Sequence, residues 1–185
     1  LGSANPLLLA ASGGDSDPVT RSLRWDGGTA TRLYNSSISS SETSWTISMW
    51  VKRGKLTSSY SLFSLNGANQ MLHFDNNDQL AWHHSGSDTR TDSKFRDVSA
   101  WMHIAVTNTS GAIRLYVNGT QDTTGGFSSN PTGTSVGTIY IGAWNRYGTS
   151  PTYEYDGHIA DVHFIDGEVK SPTDFIESND YGGYK

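Results

Sequence analysis

The run Trp144-Asn145-Arg146-Tyr147, followed closely by Tyr153 and Tyr155, carries the chemistry that grips a sugar. Flat rings stack on the apolar face of a pyranose, while amide and guanidinium groups bond its hydroxyls from loops on a rigid scaffold. Trp82 with His83 and His84 offers a second patch of the same kind. Trp, Tyr and Arg are also enriched where subunits meet, and a sandwich uses aromatics to cover its core edges. The two patches therefore read as glycan contact, partner contact or core cover.

Other chemistries fare less well. Glycoside hydrolysis needs two carboxyls flanking the scissile bond. Glu154-Tyr155-Asp156 sets two acids on one strand face, but in a Tyr- and Gly-rich loop entry with no third acid beside them. The serines fall in turns without a Gly-x-Ser-x-Gly elbow, and the chain contains no cysteine, which removes thiol catalysis and thiolate metal sites. His83 and His84 are adjacent and point to opposite faces of a strand. His103, and His158 and His163 flanking Asp161, read as structural residues, so no catalytic group and no resident cofactor is expected. Calcium fits the oxygen-rich loops better than zinc does. Asp75, Asn77 and Asp78 in Asp75-Asn76-Asn77-Asp78 are the weak candidates, although these are also ordinary turn residues.

The elements that must position these groups are short strands. Trp45, Ile47, Met49 and Val51 alternate along Trp45 to Lys52 and define a core face. Strands recur in Tyr60 to Leu65, Gln70 to Phe74, Gln79 to His83, Trp101 to Thr107, Ala112 to Asn118, Thr138 to Gly142 and Gly157 to Phe164. Met102, Ile104 and Val106 face Ile113, Leu115 and Val117 across a turn at Asn108 to Gly111, which predicts a hairpin. Ser22 to Trp25 and Thr31 to Tyr34 flank Asp26-Gly27-Gly28 and read as a second hairpin, and Ser171-Pro172-Thr173-Asp174-Phe175 as one capped helical turn. Many short strands and almost no helical period predict an all-β, antiparallel two-sheet sandwich.

With 185 residues, 35% of them hydrophobic and 17% charged, the chain suits one core. A formal charge of −5 argues against nucleic-acid binding. Lys52, Arg53 and Lys55 form the one basic cluster, expected at a solvated hairpin end. The division expected is an arm over residues 1–20 and a jelly-roll domain over 21–185. The arm carries an apolar knot, Pro6, Leu7, Leu8, Leu9, Ala10 and Ala11, ahead of a Ser/Gly/Asp spacer. That knot is far below the ~20 residues that span a bilayer, so membrane insertion is not expected. It reads as a plug on its own sandwich or as a peptide docked on a neighbouring subunit.

The order Trp45-Thr-Ile-Ser-Met-Trp-Val-Lys52, Trp101-Met-His-Ile-Ala-Val106, Leu115-Tyr-Val-Asn-Gly119 and Asp156-Gly-His-Ile-Ala-Asp-Val162 resembles the laminin G-like branch of the concanavalin A-like lectin and glucanase superfamily. The runs Trp50-Val-Lys-Arg-Gly-Lys55 and Gly157 to Gly167 are similar to versions on tail, fibre and surface proteins of marine phage virions. The resemblance covers Ser22 to Phe175 and implies a jelly roll. The Glu-x-Asp-x-x-Glu run of the superfamily's glucanases is absent from this chain. The resemblance further implies a non-enzymatic virion structural protein, a capsid decoration or fibre-like component at the virion surface, assembled in the host cytoplasm. Its expected partners are virion subunits, copies of itself in a homo-oligomer and, in part, surface glycans. A lectin-type receptor-binding module of a tail tip is the alternative, and a glycan hydrolase ranks last.

Overall fold

The computed structural model describes residues 19, 21–28, 31–36, 43–65, 70–84, 86–122, 138–144, 152–178 and 184. Two antiparallel six-stranded sheets are stacked face to face. The first runs in the order β1 (Leu23–Asp26), β12 (Asp156–Asp166), β3 (Ser44–Arg53), β8 (Met102–Thr109), β9 (Ala112–Val117), β10 (Thr120–Gln121). The second runs β2 (Leu33–Asn35), β11 (Ile139–Ile141), β4 (Tyr60–Leu65), β5 (Gln70–Phe74), β6 (Gln79–His84), β7 (Ser87–Lys94).

Alternation fixes which side chains meet between the sheets. Trp45, Ile47, Met49 and Val51 of β3 are fully buried, as are Ile104, Val106 and Leu115 on β8 and β9. The β8–β9 hairpin pairs Ile104 with Val117 and Val106 with Leu115, the predicted shared apolar face. From the second sheet, Phe63, Leu72, Phe74, Leu80 and Trp82 close the core, with the Trp45 and Trp82 ring centroids 5.5 Å apart. Burying side chains of this size stabilises by about 1.5–3 kcal/mol each relative to exposure. Gly142, just past β11, lies against the Trp25 indole with φ of 82°. A Cβ there would sit 2.0 Å from the indole nitrogen, so both backbone and packing demand glycine.

Three expectations change. Residues either side of Asp26-Gly27-Gly28 do not form a hairpin: β1 pairs with β12 in one sheet and β2 with β11 in the other. The Asp26 carboxylate accepts from the Gly28 backbone N–H and the Thr31 hydroxyl, turning the chain across the open edge between the sheets. Arg53 is not at a solvated end, because it continues the inward-facing series of β3 and is fully buried over the Phe74 ring, 4.3 Å from its centroid. Strand β7 is additional: its Ser/Thr/Asp/Arg/Lys sequence has no apolar alternation because it is an exposed, charged edge strand.

Elsewhere the reading is met. The 3-10 turn Pro172–Asp174 has the predicted cap, with Ser171 and Asp174 forming a reciprocal capping box. It leads into Phe175 and Ile176, which cover the outer face of the first sheet; Ile176 packs there with Trp50, Ala160 and Val19. Val19, assigned to the arm by sequence, is thus part of this cluster, while Pro6, Leu7, Leu8 and Leu9 lie outside the described residues. Among the described residues no helix is long and apolar enough to cross a membrane.

Candidate functional site

The outer face of the second sheet carries the opposite alternation set. Met71 and His73 point outward from β5, and Ala81 and His83 from β6; Asp88 and Arg90 project on the same side of β7, paired in register with His83 and Ala81. Beyond β11 the chain folds back over this face. Ala143 accepts a hydrogen bond from the Ser64 hydroxyl, the Tyr153 carbonyl accepts from the Ser61 N–H, and Trp144 and Thr152 form an isolated antiparallel bridge. Trp144 thereby reaches across β4 and β5 to meet His83 edge-on, centroids 5.4 Å apart.

Tyr153 stacks on Trp144 at 5.5 Å and 25°. Only the tyrosine is open to solvent, 42% exposed against 9% for the tryptophan. Beneath these rings lies a cleft of about 570 Å³ lined by Ser59, His73, His83, Ser87, Asp88 and Arg90 as well as Trp144 and Tyr153. Such a volume is within the range of small-ligand pockets.

The electrostatics of the floor centre on Asp88. His83 Nδ1 donates to Asp88 Oδ1 at 2.5 Å, and His73 Nε2 lies 3.7 Å from the same oxygen. The imidazole of His73, then that of His83, holds the Asp88 carboxyl well below the usual carboxylate range, outweighing the opposing effect of burial. Arg90 is held between two acids, its Nε on Asp75 at 2.9 Å and its Nη2 on Asp88 at 2.7 Å. Nδ1 of His73 and Nε2 of His83 are buried without a hydrogen-bond partner among the described residues, whereas His73 Nε2 faces Asp88. Buried polar atoms in folded proteins are nearly always satisfied, and both of these nitrogens belong to residues that line the cleft.

Of the residues singled out by sequence, Trp144, Tyr153 and His83 meet at this cleft. Asn145, Arg146 and Tyr147 lie outside the described residues. Trp82 and Tyr155 are corrections to the proposed contact set. Trp82 alternates with His83 and so points inward against Trp45, at 2% exposure. Tyr155 is fully buried, and its hydroxyl donates to the Lys52 carbonyl, so burial pushes the phenol above its ordinary range.

The calcium candidates are corrected as well. Asp75 takes the backbone N–H groups of Asn77 and Gln79 and the Arg90 guanidinium, while Asp78 takes Arg53, Arg96 and the Thr57 N–H. Guanidinium groups already stand where the cation would. Asp156 of the would-be acid pair is equally committed, to Arg24 at 2.8 Å and Lys55 at 3.0 Å. His158 packs on Trp101 and His163 on Phe175, and among the described residues no group of three His, Asp or Glu could hold a metal ion.

Residues 26–173 match the family model described as concanavalin A-like lectin/glucanases superfamily. The chain belongs to this superfamily. Its laminin G-like jelly roll is similar to solved structures with little shared sequence. The CBM40 of a Ruminococcus gnavus IT-sialidase, bound to α2,3 sialyllactose, is 16% identical with a TM-score of 0.63, covering 84% of this chain and 94% of that one. A native heptameric SAP-like pentraxin from Limulus polyphemus is 14% identical at 0.62, over 81% and 77%. Domain 4 of AbnA, a GH43 extracellular arabinanase from Geobacillus stearothermophilus, in complex with arabinotriose, is 22% identical at 0.61, over 83% and 75%. No curated protein sequence matches the chain. At these identities the likeness establishes the jelly roll alone, and the side chains of the cleft must carry the functional argument.

Proposed function

We propose that this superfamily member is a non-catalytic saccharide-binding module whose ligand lies in the Trp144–Tyr153 cleft. One observation carries the proposal. A pre-stacked aromatic pair, open to solvent on its tyrosine, stands over two buried imidazole nitrogens, His73 Nδ1 and His83 Nε2, that make no hydrogen bond among the described residues. A pyranose has the complementary pair of surfaces, an apolar ring face and a rim of hydroxyls. With Nδ1 of His83 committed to Asp88, Nε2 is the ring atom left to bond a ligand hydroxyl, which can donate or accept. The carboxylates of the cleft are engaged with Arg90 and the imidazoles, which supports holding a glycan over cleaving it. The CBM40 bound to sialyllactose and the arabinanase domain bound to arabinotriose lend the fold-level analogy.

Calorimetry against ligands selected on a glycan array tests the reading. Tyr153→Ala and Trp144→Ala should each weaken binding by about tenfold or more, in line with ~1–3 kcal/mol for a lost ring-stacking contact. Absence of any glycan ligand, or equal affinity in both variants, would remove the proposal.

The setting we propose is a virion surface, as a decoration or fibre-like component assembled in the host cytoplasm with virion subunits and copies of itself. It is supported by the phage-like runs Trp50 to Lys55 and Gly157 to Gly167 and by the apolar knot at Pro6, Leu7, Leu8 and Leu9. Removing residues 1–18, which spares Val19 and its packing on Trp50, should leave the thermal midpoint within a few degrees of the full chain. It should also abolish incorporation into particles; normal incorporation would exclude a role for the arm.

A further inference from the structure

Arg90 is the one described cation lining the cleft, and a guanidinium in a sugar site ordinarily suggests a carboxylate-bearing ligand. Its geometry here argues the reverse. Nε and Nη2 are each engaged by an internal acid, so two carboxylates face one guanidinium. Asp88 stays ionised because the imidazoles of His73 and His83 hold its carboxyl low. It lines the cleft itself, whereas Asp75 stands behind Arg90, nearly buried. A sugar carboxylate in the cleft would therefore lie against one guanidinium already matched by two carboxylates, 2.9 and 2.7 Å from it, a cluster of net negative charge.

Resting on the reading of the cleft as a saccharide site, we infer that it selects neutral sugars and that Asp88 is the residue that excludes anionic ones. Asp88 acts in two ways. It repels a carboxylate at short range, in a site where the effective dielectric is below that of water, and it keeps Arg90 from turning its fork outward. It also anchors His83 by Nδ1, which leaves Nε2 to bond a sugar hydroxyl. The sialyllactose-bound relative shares the jelly roll at 16% identity, so the same fold would here serve a ligand of different charge.

The test is a paired titration of the unmodified protein at pH 8, above the ordinary imidazole range. One partner of each pair is a uronate- or sialate-bearing oligosaccharide, and the other is its carboxyl-reduced or unsialylated counterpart. The neutral member should bind about tenfold tighter, equivalent to ~1.4 kcal/mol. Asp88→Asn should narrow that ratio by freeing Arg90, and a folded Thr120→Ala control, exposed on β10 of the other sheet, should leave it unchanged. Equal or tighter binding of the anionic member by the unmodified chain overturns the selectivity while leaving the saccharide site standing. A ratio unaltered in folded Asp88→Asn overturns the assignment to Asp88. Failure of both members to bind removes the saccharide reading and this inference together.

Discussion

Asp78→Asn is expected to cost about 3–5 kcal/mol of folding stability, the loss typical of stripping one partner from a buried ion pair. Asp78 and Arg53 are both fully buried and lie 2.9 Å apart, at the end of the core where β3 runs under the turn between β5 and β6. The carboxylate also accepts from Arg96 Nε at 3.1 Å and the Thr57 N–H at 2.8 Å. Burial alone pushes its carboxyl up, and the Thr57, Arg96 and Arg53 hydrogen bonds together overcome this and hold it below its ordinary value. Asparagine preserves the shape but leaves the Arg53 guanidinium, which also donates to the Phe95 carbonyl, buried without a counter-charge. Chemical denaturation should show the midpoint falling at unchanged slope. Replacing both residues, as Arg53→Met with Asp78→Leu, should recover much of the loss, since an apolar pair of similar volume often substitutes for a buried ion pair. A stability change below about 1 kcal/mol in Asp78→Asn would contradict the assigned role.

The second large effect is acid destabilisation centred on His103. This residue points outward from β8 but is fully buried beneath the C-terminal segment, stacked near Phe175 and bonded through Nε2 to the Ser48 hydroxyl at 2.8 Å. Burial first, and His163 second, lower its ring from the ordinary 6.5 to about 4. The unfolded chain therefore binds the proton more readily. Stability from the neutral ring is complete above pH 6.5 and is lost as pH falls through that window to about 4, by roughly 3 kcal/mol in all. The depressed carboxylate Asp88 acts at still lower pH: its contribution is present above its unfolded value near 3.9 and goes as pH drops further. His103→Gln keeps a partner for Ser48 and removes the titration. Between pH 6.5 and 4.5 the urea midpoint of the native chain should fall steeply and that of the variant distinctly less, the remainder coming from His84 and His158, whose rings burial also holds below their ordinary value. Parallel curves would show that His103 is not the sensor.

How much of this could be read from residues alone depends on the period of each element. Trp45, Ile47, Met49 and Val51 announce the core by strict alternation, and the β8–β9 hairpin follows from two such series facing across a turn. The same rule applied to Leu80 and Trp82 turns Trp82 inward, against the pull of its aromatic chemistry. Arg53 also obeys the alternation, but a lone arginine after Val51 gives no sign of the acid it needs, because Asp78 is 25 residues away in sequence. His73, Asp88 and Arg90 carry no motif. They sit on two strands and converge only through the register that sets Met71 opposite His83 and His83 opposite Asp88. Strand β7 itself is invisible to hydrophobic periodicity, since an exposed edge strand is selected for polar, charged residues. Trp144 and Tyr153 were legible as candidates; that they stack on each other over the outer face was not.

The central claim is that a saccharide occupies the cleft beneath Trp144 and Tyr153. Its most direct test follows the six indole N–H signals of the isotopically labelled protein during titration with a neutral oligosaccharide, with Trp144 assigned through Trp144→Phe. Trp144 should shift progressively and saturably, while Trp45 and Trp82, locked between the sheets, should hold still. Binding that leaves the Trp144 signal unmoved, or that perturbs the opposite sheet at Trp101 instead, would contradict the account.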